Sequence, residues 1–209
     1  MSVEMKDSRI PWVGTIPTTW DVVQLSSIFK EHKDKNKLLE ENNLLSLSYG
    51  RIIRKDINTK EGLLPQSFDG YNIIQKGDIV FRLTDLQNDK RSLRTGLCKE
   101  KGIITSAYIT IRKTQELHSE FFHYLLHSYD ECKVFYGLGD GVRQGMTFDD
   151  LRKLLLVVPP FQLQQQIATF LDEKCADIDQ LIALQQKMID ELKAYKQSVI
   201  TEAVCKGLD

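Results

Sequence analysis

Val157-Val158-Pro159-Pro160-Phe161-Gln162-Leu163-Gln164-Gln165-Gln166-Ile167-Ala168 is the point where this sequence changes character. An apolar run, Leu154–Val158, reads as a strand, and Pro159-Pro160 stops it because proline cannot donate to a β-ladder; proline also suits the first turn of a helix. From Phe161 to Lys206 there is neither Gly nor Pro over 46 residues, which at about 1.5 Å per residue is roughly 69 Å of helix. One heptad column of that stretch reads Leu171, Ile178, Gln185, Leu192, Val199 and its companion Lys174, Leu181, Met188, Tyr195, Glu202. The middle of the seam is apolar at a 3.5-residue period and the outer faces are charged or Gln-rich, the pattern of a coiled coil. The chain has no other long helix to cover it, so the seam of Leu171, Ile178, Leu181, Gln185, Met188, Leu192, Tyr195 and Val199 is expected to pair between molecules. The competing reading folds the helix back along its own domain. Polar Gln185 in a core column suits a register or orientation marker.

Working outward, residues 1–158 carry 11 of the 12 glycines and short β-like runs separated by turns. Strands are expected at Leu44–Tyr49, Tyr71–Ile74, Asp78–Leu83 and, most clearly, across the β-branched region Gly102–Arg112. The period then changes: Phe121, Phe122, Leu125, Leu126 and Tyr129 share one helical face. Thr147-Phe148-Asp149-Asp150 resembles a capping box that opens a short helix. The fold expected is α+β: a mixed globular domain, residues 1–158, followed by a long C-terminal helix, residues 159–209.

Lys+Arg 28 against Asp+Glu 29 gives a net charge of −1 in 209 residues, which excludes a wholly basic protein but not a local basic patch. No apolar run reaches the roughly 18 residues of a membrane span, and the N-terminus has no signal-peptide core. Cys98, Cys132, Cys175 and Cys205 are widely spaced without a CxxC pair, so reduced thiols and a cytoplasmic location are expected.

Between Arg82 and Lys113 lie Arg82, Lys90, Arg91, Arg94, Lys99, Lys101, Arg112 and Lys113 against Asp85, Asp89 and Glu100, a net of 8 − 3 = +5. The first 150 residues as a whole are balanced at 21 basic and 21 acidic. Lys and Arg supply phosphate contacts, and Gln87, Asn88 and arginine side chains can pair with base edges; the plainer reading is a solvated hairpin. A second basic group, Arg51, Arg54, Lys55 and Lys60, reads as a phosphate-contacting loop or an ordinary charged one. Gly137–Gly145 holds Arg143-Gln144 but no Gly-Lys-Ser/Thr, so it is not a phosphate-binding P-loop; it is a loop able to bring Arg and Gln close to DNA, or simply a loop before a helix cap. His123 and His127 have the spacing of helical zinc ligands without the intervening Glu, and metal binding is not expected. Asp78, Asp85 and Asp89 make a poor nuclease cluster, and there is no nucleophile elbow, no methyltransferase signature and no helicase motif. No catalytic residue is assigned.

Several segments, taken together, resemble the specificity subunit of type I restriction-modification systems. Met5 to Trp20 (Met-Lys-Asp-Ser-Arg-Ile-Pro-Trp-Val-Gly-Thr-Ile-Pro-Thr-Thr-Trp) is similar to that family's repeat opening. The Val157–Ala168 junction, Phe170-Leu171-Asp172, Ile178–Ile182 and Leu192–Val204 follow in the family's order, ending in Lys206-Gly207-Leu208-Asp209. Leu163-Gln164 stands where the family has Glu-Gln, so a carboxylate cap is not expected at the helix start. The divergent middle, about residues 25–140, is where the family's target recognition domains vary. The resemblance covers one such domain and one long helix where family members carry two of each, and so implies a half-length form.

What the resemblance implies is a non-catalytic subunit that reads double-stranded DNA. It would dimerise with a second copy of itself into an antiparallel coiled coil, read an interrupted palindrome, and bind type I methyltransferase (modification) subunits and the restriction/translocase subunit. No cofactor is expected in this chain; S-adenosylmethionine belongs to the methyltransferase partner. The DNA-contacting residues expected are Arg51, Arg54, Arg82, Lys90, Arg91, Arg94, Lys99, Lys101, Arg143 and Gln144. The rival classes are a coiled-coil adaptor that binds no DNA and a specificity fragment inactive on its own.

Overall fold

In the computed structural model the residues described are 4–57, 65, 67–86, 93–137 and 145–207. The chain divides into two compact units, Met1–Gln165 and Gln166–Asp209. The first is α+β and the second is the body of a helix.

The first unit opens with β1 (Met5–Asp7) and β2 (Thr15–Pro17), paired antiparallel. Then β3 (Asp21–Gln24), a single helical turn α1 (Leu25–Ile28) and β4 (Phe29–Glu31) follow almost without a break. β5 (Leu45–Ser48) and β6 (Arg51–Arg54) form an antiparallel ribbon. β7 (Asn72–Ile74), β8 (Ile79–Phe81), β9 (Thr95–Leu97), β10 (Gly102–Ile104) and β11 (Ile109–Lys113) complete the middle of the unit. After them come α2 (Ser119–Glu131), α3 (Phe148–Leu151), β12 (Leu155–Val158) and the long helix α4 (Phe161–Lys206).

The central sheet is antiparallel, in the order β4-β11-β8-β9, and β10 pairs separately with β7. β8, β9 and β10 are buried at every position, which is why Ile79-Val80-Phe81 and Gly102-Ile103-Ile104 read as continuous apolar runs rather than alternating ones. Phe121, Phe122, Leu126 and Tyr129 of α2 are buried, with Phe122 edge-on to Phe29 of β4 at 5.3 Å. The expected strand region Gly102–Arg112 is two strands: the Tyr108 amide donates to the Thr105 carbonyl in a turn at 3.2 Å, and β10 and β11 pair with different partners.

The two ends of the unit meet. β3 pairs antiparallel with β12, Asp21 opposite Val158 and Gln24 opposite Leu155. Ile10, Ile16 and Val157 form a buried cluster flanked by Val13, Trp20 and Val22, so the opening segment packs on the strand that leads into Pro159-Pro160. α4 begins at Phe161 without a carboxylate cap. Instead the buried Gln164 amide nitrogen donates to the Pro159 carbonyl at 2.8 Å and its oxygen accepts from the His118 backbone amide at 3.0 Å. An ionised carboxylate could accept but not donate, which accounts for a glutamine rather than a glutamate at this position.

Candidate nucleic-acid interface

Of the basic residues expected to contact DNA, the exposed ones among the described residues sit on the β5–β6 ribbon (Arg51 and Arg54) and in the β9–β10 turn (Lys99 and Lys101). The ribbon is closed by a two-residue turn, Tyr49-Gly50, with φ of 44° and 77°; positive φ at both central residues is the type I′ arrangement that matches strand twist. Its inner face, Leu45, Leu47 and Ile52, packs toward the sheet, and Gly96 of β9 makes that approach feasible. A Cβ at Gly96 would lie 2.5 Å from Leu47 Cδ1 and 3.0 Å from Ile52 Cδ1. Arg51 to Arg54, read from sequence as a loop, is therefore a strand.

Arg54 is exposed and bonded to Glu100. Its Nε donates to the two carboxylate oxygens at 2.8 and 2.9 Å and Nη2 donates to Oε2 as well. The hydrogen bonds from Arg54 hold the Glu100 carboxyl below its ordinary range, and the Arg54 guanidinium is raised in turn. Asn43 adds an amide donor to Glu100 at 3.1 Å, and Lys101 lies 3.5 Å from Glu41. Lys99 and Arg51 are exposed and Arg82 is half-exposed.

The expectation that Arg94 faces DNA is corrected. Arg94 is fully buried. Its guanidinium donates to the carbonyls of Thr84 at 3.2 Å and Asp85 at 3.4 Å and to the Tyr136 hydroxyl at 3.4 Å. Its backbone amide donates to the Asp130 carboxylate; burial pushes the Asp130 carboxyl up, and that amide opposes the shift. A buried guanidinium must have its donors satisfied, and here two stretches of chain, Thr84-Asp85 and Tyr136, supply acceptors. Arg112 is half-buried and held in a bidentate pair with buried Asp78 at 2.7 Å on both arms, and the exposed Lys113 donates to the Leu117 carbonyl at 2.6 Å. The net of +5 in this segment is thus not a continuous surface patch. Lys90, Arg91, Arg143 and Gln144, with Lys60, Gln87, Asn88 and Asp89, lie outside the described residues.

Asp78 is committed to Arg112, and among the described residues no cluster of three or more His, Cys, Asp or Glu side chains could hold a metal. His123 and His127 have ring centroids 6.2 Å apart. Among the described residues no helix is long and apolar enough to cross a membrane.

The second unit offers a different surface. Ile178, Leu181, Met188, Leu192, Tyr195 and Val199 are between 46% and 69% exposed, and Gln185 is exposed among them while Leu171 is half-buried. The apolar stripe is wider than the two columns read from sequence: Ile182, Leu184 and Ile189 are exposed beside them. Heptad positions flanking the seam would have revealed these three.

The sequence profile of the type I restriction modification DNA specificity domain matches residues 17–194. The chain belongs to that family. The specificity-domain fold also appears in solved structures. One, from work on complex assembly and conformational transition of the type I R-M system, superposes with a TM-score of 0.65 at 17% identity, over 92% of this chain and 47% of that one. The HsdS subunit from Thermoanaerobacter tengcongensis gives 0.54 at 18% identity, over 92% and 46%. The type I restriction-modification S subunit from M. genitalium gives 0.50 at 20% identity, over 82% and 44%. At these identities the likeness is one of fold, and this chain spans less than half the length of each.

Proposed function

We propose that this specificity-domain chain is a DNA sequence-recognition subunit that works as a two-fold pair, its first unit reading DNA and its α4 helices packing antiparallel. The observation that carries the reading is the exposed apolar seam of α4 in a chain of this family. Burying Ile178, Leu181, Met188, Leu192 and Tyr195 against a partner removes apolar surface from water at about 25 cal/mol per Å², and a two-fold contact is the commonest closed symmetry. In an antiparallel coiled coil each residue of one heptad column faces one of the other column. We place Leu181 against Leu192, Ile178 against Tyr195 and Gln185 against Met188, with the dyad between Gln186 and Lys187. The same register sets Ile182 beside Ile189, so the widened stripe is used.

Two recognition units related by that dyad face DNA in inverted orientation, and the target is then two inverted half-sites with a fixed gap, since operator symmetry mirrors protein symmetry. The chain performs no chemistry itself. Methyltransferase subunits carrying S-adenosylmethionine, and a restriction/translocase subunit, act on the DNA it marks, in the cytoplasm. The test is sedimentation of the full chain at tens of micromolar: a dimer supports the pair, and a monomer there removes it.

A further inference from the structure

We propose that the β5–β6 ribbon enters the major groove of the target DNA, with Ser48 and Arg51 facing base edges and Tyr49 at the leading tip. The inference rests on the DNA-recognition reading above and names the element that does the reading. Register sets Leu47 opposite Ile52, Ser48 opposite Arg51 and Ser46 opposite Ile53. Side chains alternate across a strand, so Leu47 and Ile52 share the face seated on Gly96, while Ser46, Ser48, Arg51 and Ile53 share the other. On that outer face Arg51 and Ile53 are exposed and the two serines half-exposed.

Tyr49 is the feature that folding leaves unexplained. It is 74% exposed, at a φ of 44°. A bulky side chain at positive φ is uncommon, and the usual residue for this turn position is Asn or Asp. The neighbouring Gly50 is explained: its φ is 77°, and a Cβ there would lie 2.9 Å from Leu93 Cδ1. An exposed aromatic held in a disfavoured backbone region contributes nothing to the core, and strain of this kind collects at binding sites.

The size and chemistry suit a groove. The major groove is about 12 Å wide and admits a two-stranded ribbon. Arginine pairs bidentately with guanine, serine hydroxyls donate to or accept from any base edge, and an aliphatic side chain such as Ile53 suits a thymine methyl. Arg54 lies on the other face, on the same side as Ile52, where Glu100 holds its guanidinium; it secures the base of the ribbon. The tip also abuts Leu93.

The test is selection from a randomised duplex library by the full chain with its methyltransferase subunits, comparing wild type with Arg51→Ala, Ser48→Ala and Tyr49→Asn. All three positions are on the surface, and asparagine suits the turn, so melting temperatures are expected to stay put. Arg51→Ala is expected to lose about tenfold to hundredfold for the selected site and to lose discrimination at one base pair in each half-site; Tyr49→Asn is expected to lose affinity for that site while keeping its fold. If wild type selects a site and the variants select the same site with the same affinity, the ribbon assignment is wrong and DNA recognition stands. A uniform weakening on all sequences makes the ribbon a phosphate contact and overturns base reading. Unchanged DNA selection with lost methyltransferase-subunit binding makes it a protein-docking face and overturns it equally. A wild-type complex that selects no DNA sequence removes the function and the ribbon assignment together.

Discussion

The Arg94 guanidinium donates from Nη1 to the backbone carbonyl of Thr84 at 3.2 Å, inside the domain rather than on its surface. Through Asp85 and Tyr136 the same side chain ties the chain entering the 87–92 segment to the chain entering the 138–144 segment. The basic residue that charge alone assigned to DNA instead fixes the roots of the two segments that hold Lys90, Arg91, Arg143 and Gln144.

Arg94→Ala is therefore expected to act on stability first. Removing a buried guanidinium leaves its acceptors unpaired and costs about 2–4 kcal/mol. Urea denaturation followed by circular dichroism reads this directly, and Arg91→Ala serves as the contrast, with stability retained and DNA affinity reduced. An Arg94→Ala chain with the wild-type midpoint would contradict the buried placement.

Gly96→Val should displace the β5–β6 ribbon. The new side chain starts 2.5 Å from Leu47 Cδ1, and overpacking of this kind costs about 1–3 kcal/mol. Loss of stability accompanied by loss of sequence-specific binding fits a ribbon that must be seated on β9; a stable variant with a perturbed ribbon and intact recognition does not.

Leu181→Glu or Leu192→Glu should abolish self-association, because each places unpaired charge in the seam, while the thermal transition of the first unit is retained. Orientation is read by disulfide trapping. With the exposed native cysteines replaced by serine, a chain carrying both Leu181→Cys and Leu192→Cys should crosslink readily and the single variants poorly. Efficient crosslinking of Leu181→Cys alone would mean parallel packing.

The four thiols should divide three to one. Cys98 is buried and burial pushes its pKa up to about 11, partly opposed by a backbone hydrogen bond from Glu100. Cys132, Cys175 and Cys205 are exposed. Since the thiolate is the nucleophile, iodoacetamide near pH 8 should label three sites in the folded protein and the fourth only after denaturation. Native labelling of Cys98 at the rate of Cys132 would argue against this core.

Legibility in the sequence followed the range of the interactions. α4 could be bounded from composition because helix continuity is local: 46 residues without Gly or Pro leave little else to form. The α3 start was equally legible, and the Asp150 carboxylate does accept from the Thr147 amide at 2.9 Å and hydroxyl at 2.7 Å. The second strand of the ribbon was missed because Tyr49-Gly50 is not the Asn-Gly turn that signals a hairpin. The pairing of β3 with β12 joins residues more than 130 apart in sequence, beyond any periodicity. Arg94 and Arg112 carry the same charge as surface arginines in the sequence, and only their buried partners tell them apart.

The most direct measurement is the consensus sequence that the full chain and its methyltransferase subunits enrich from randomised duplex DNA. Two copies related by the α4 dyad predict two inverted half-sites separated by a gap of fixed length, lengthened rather than lost when one heptad is inserted near Gln186. An enriched sequence that is asymmetric or uninterrupted would contradict the two-fold reading of the target.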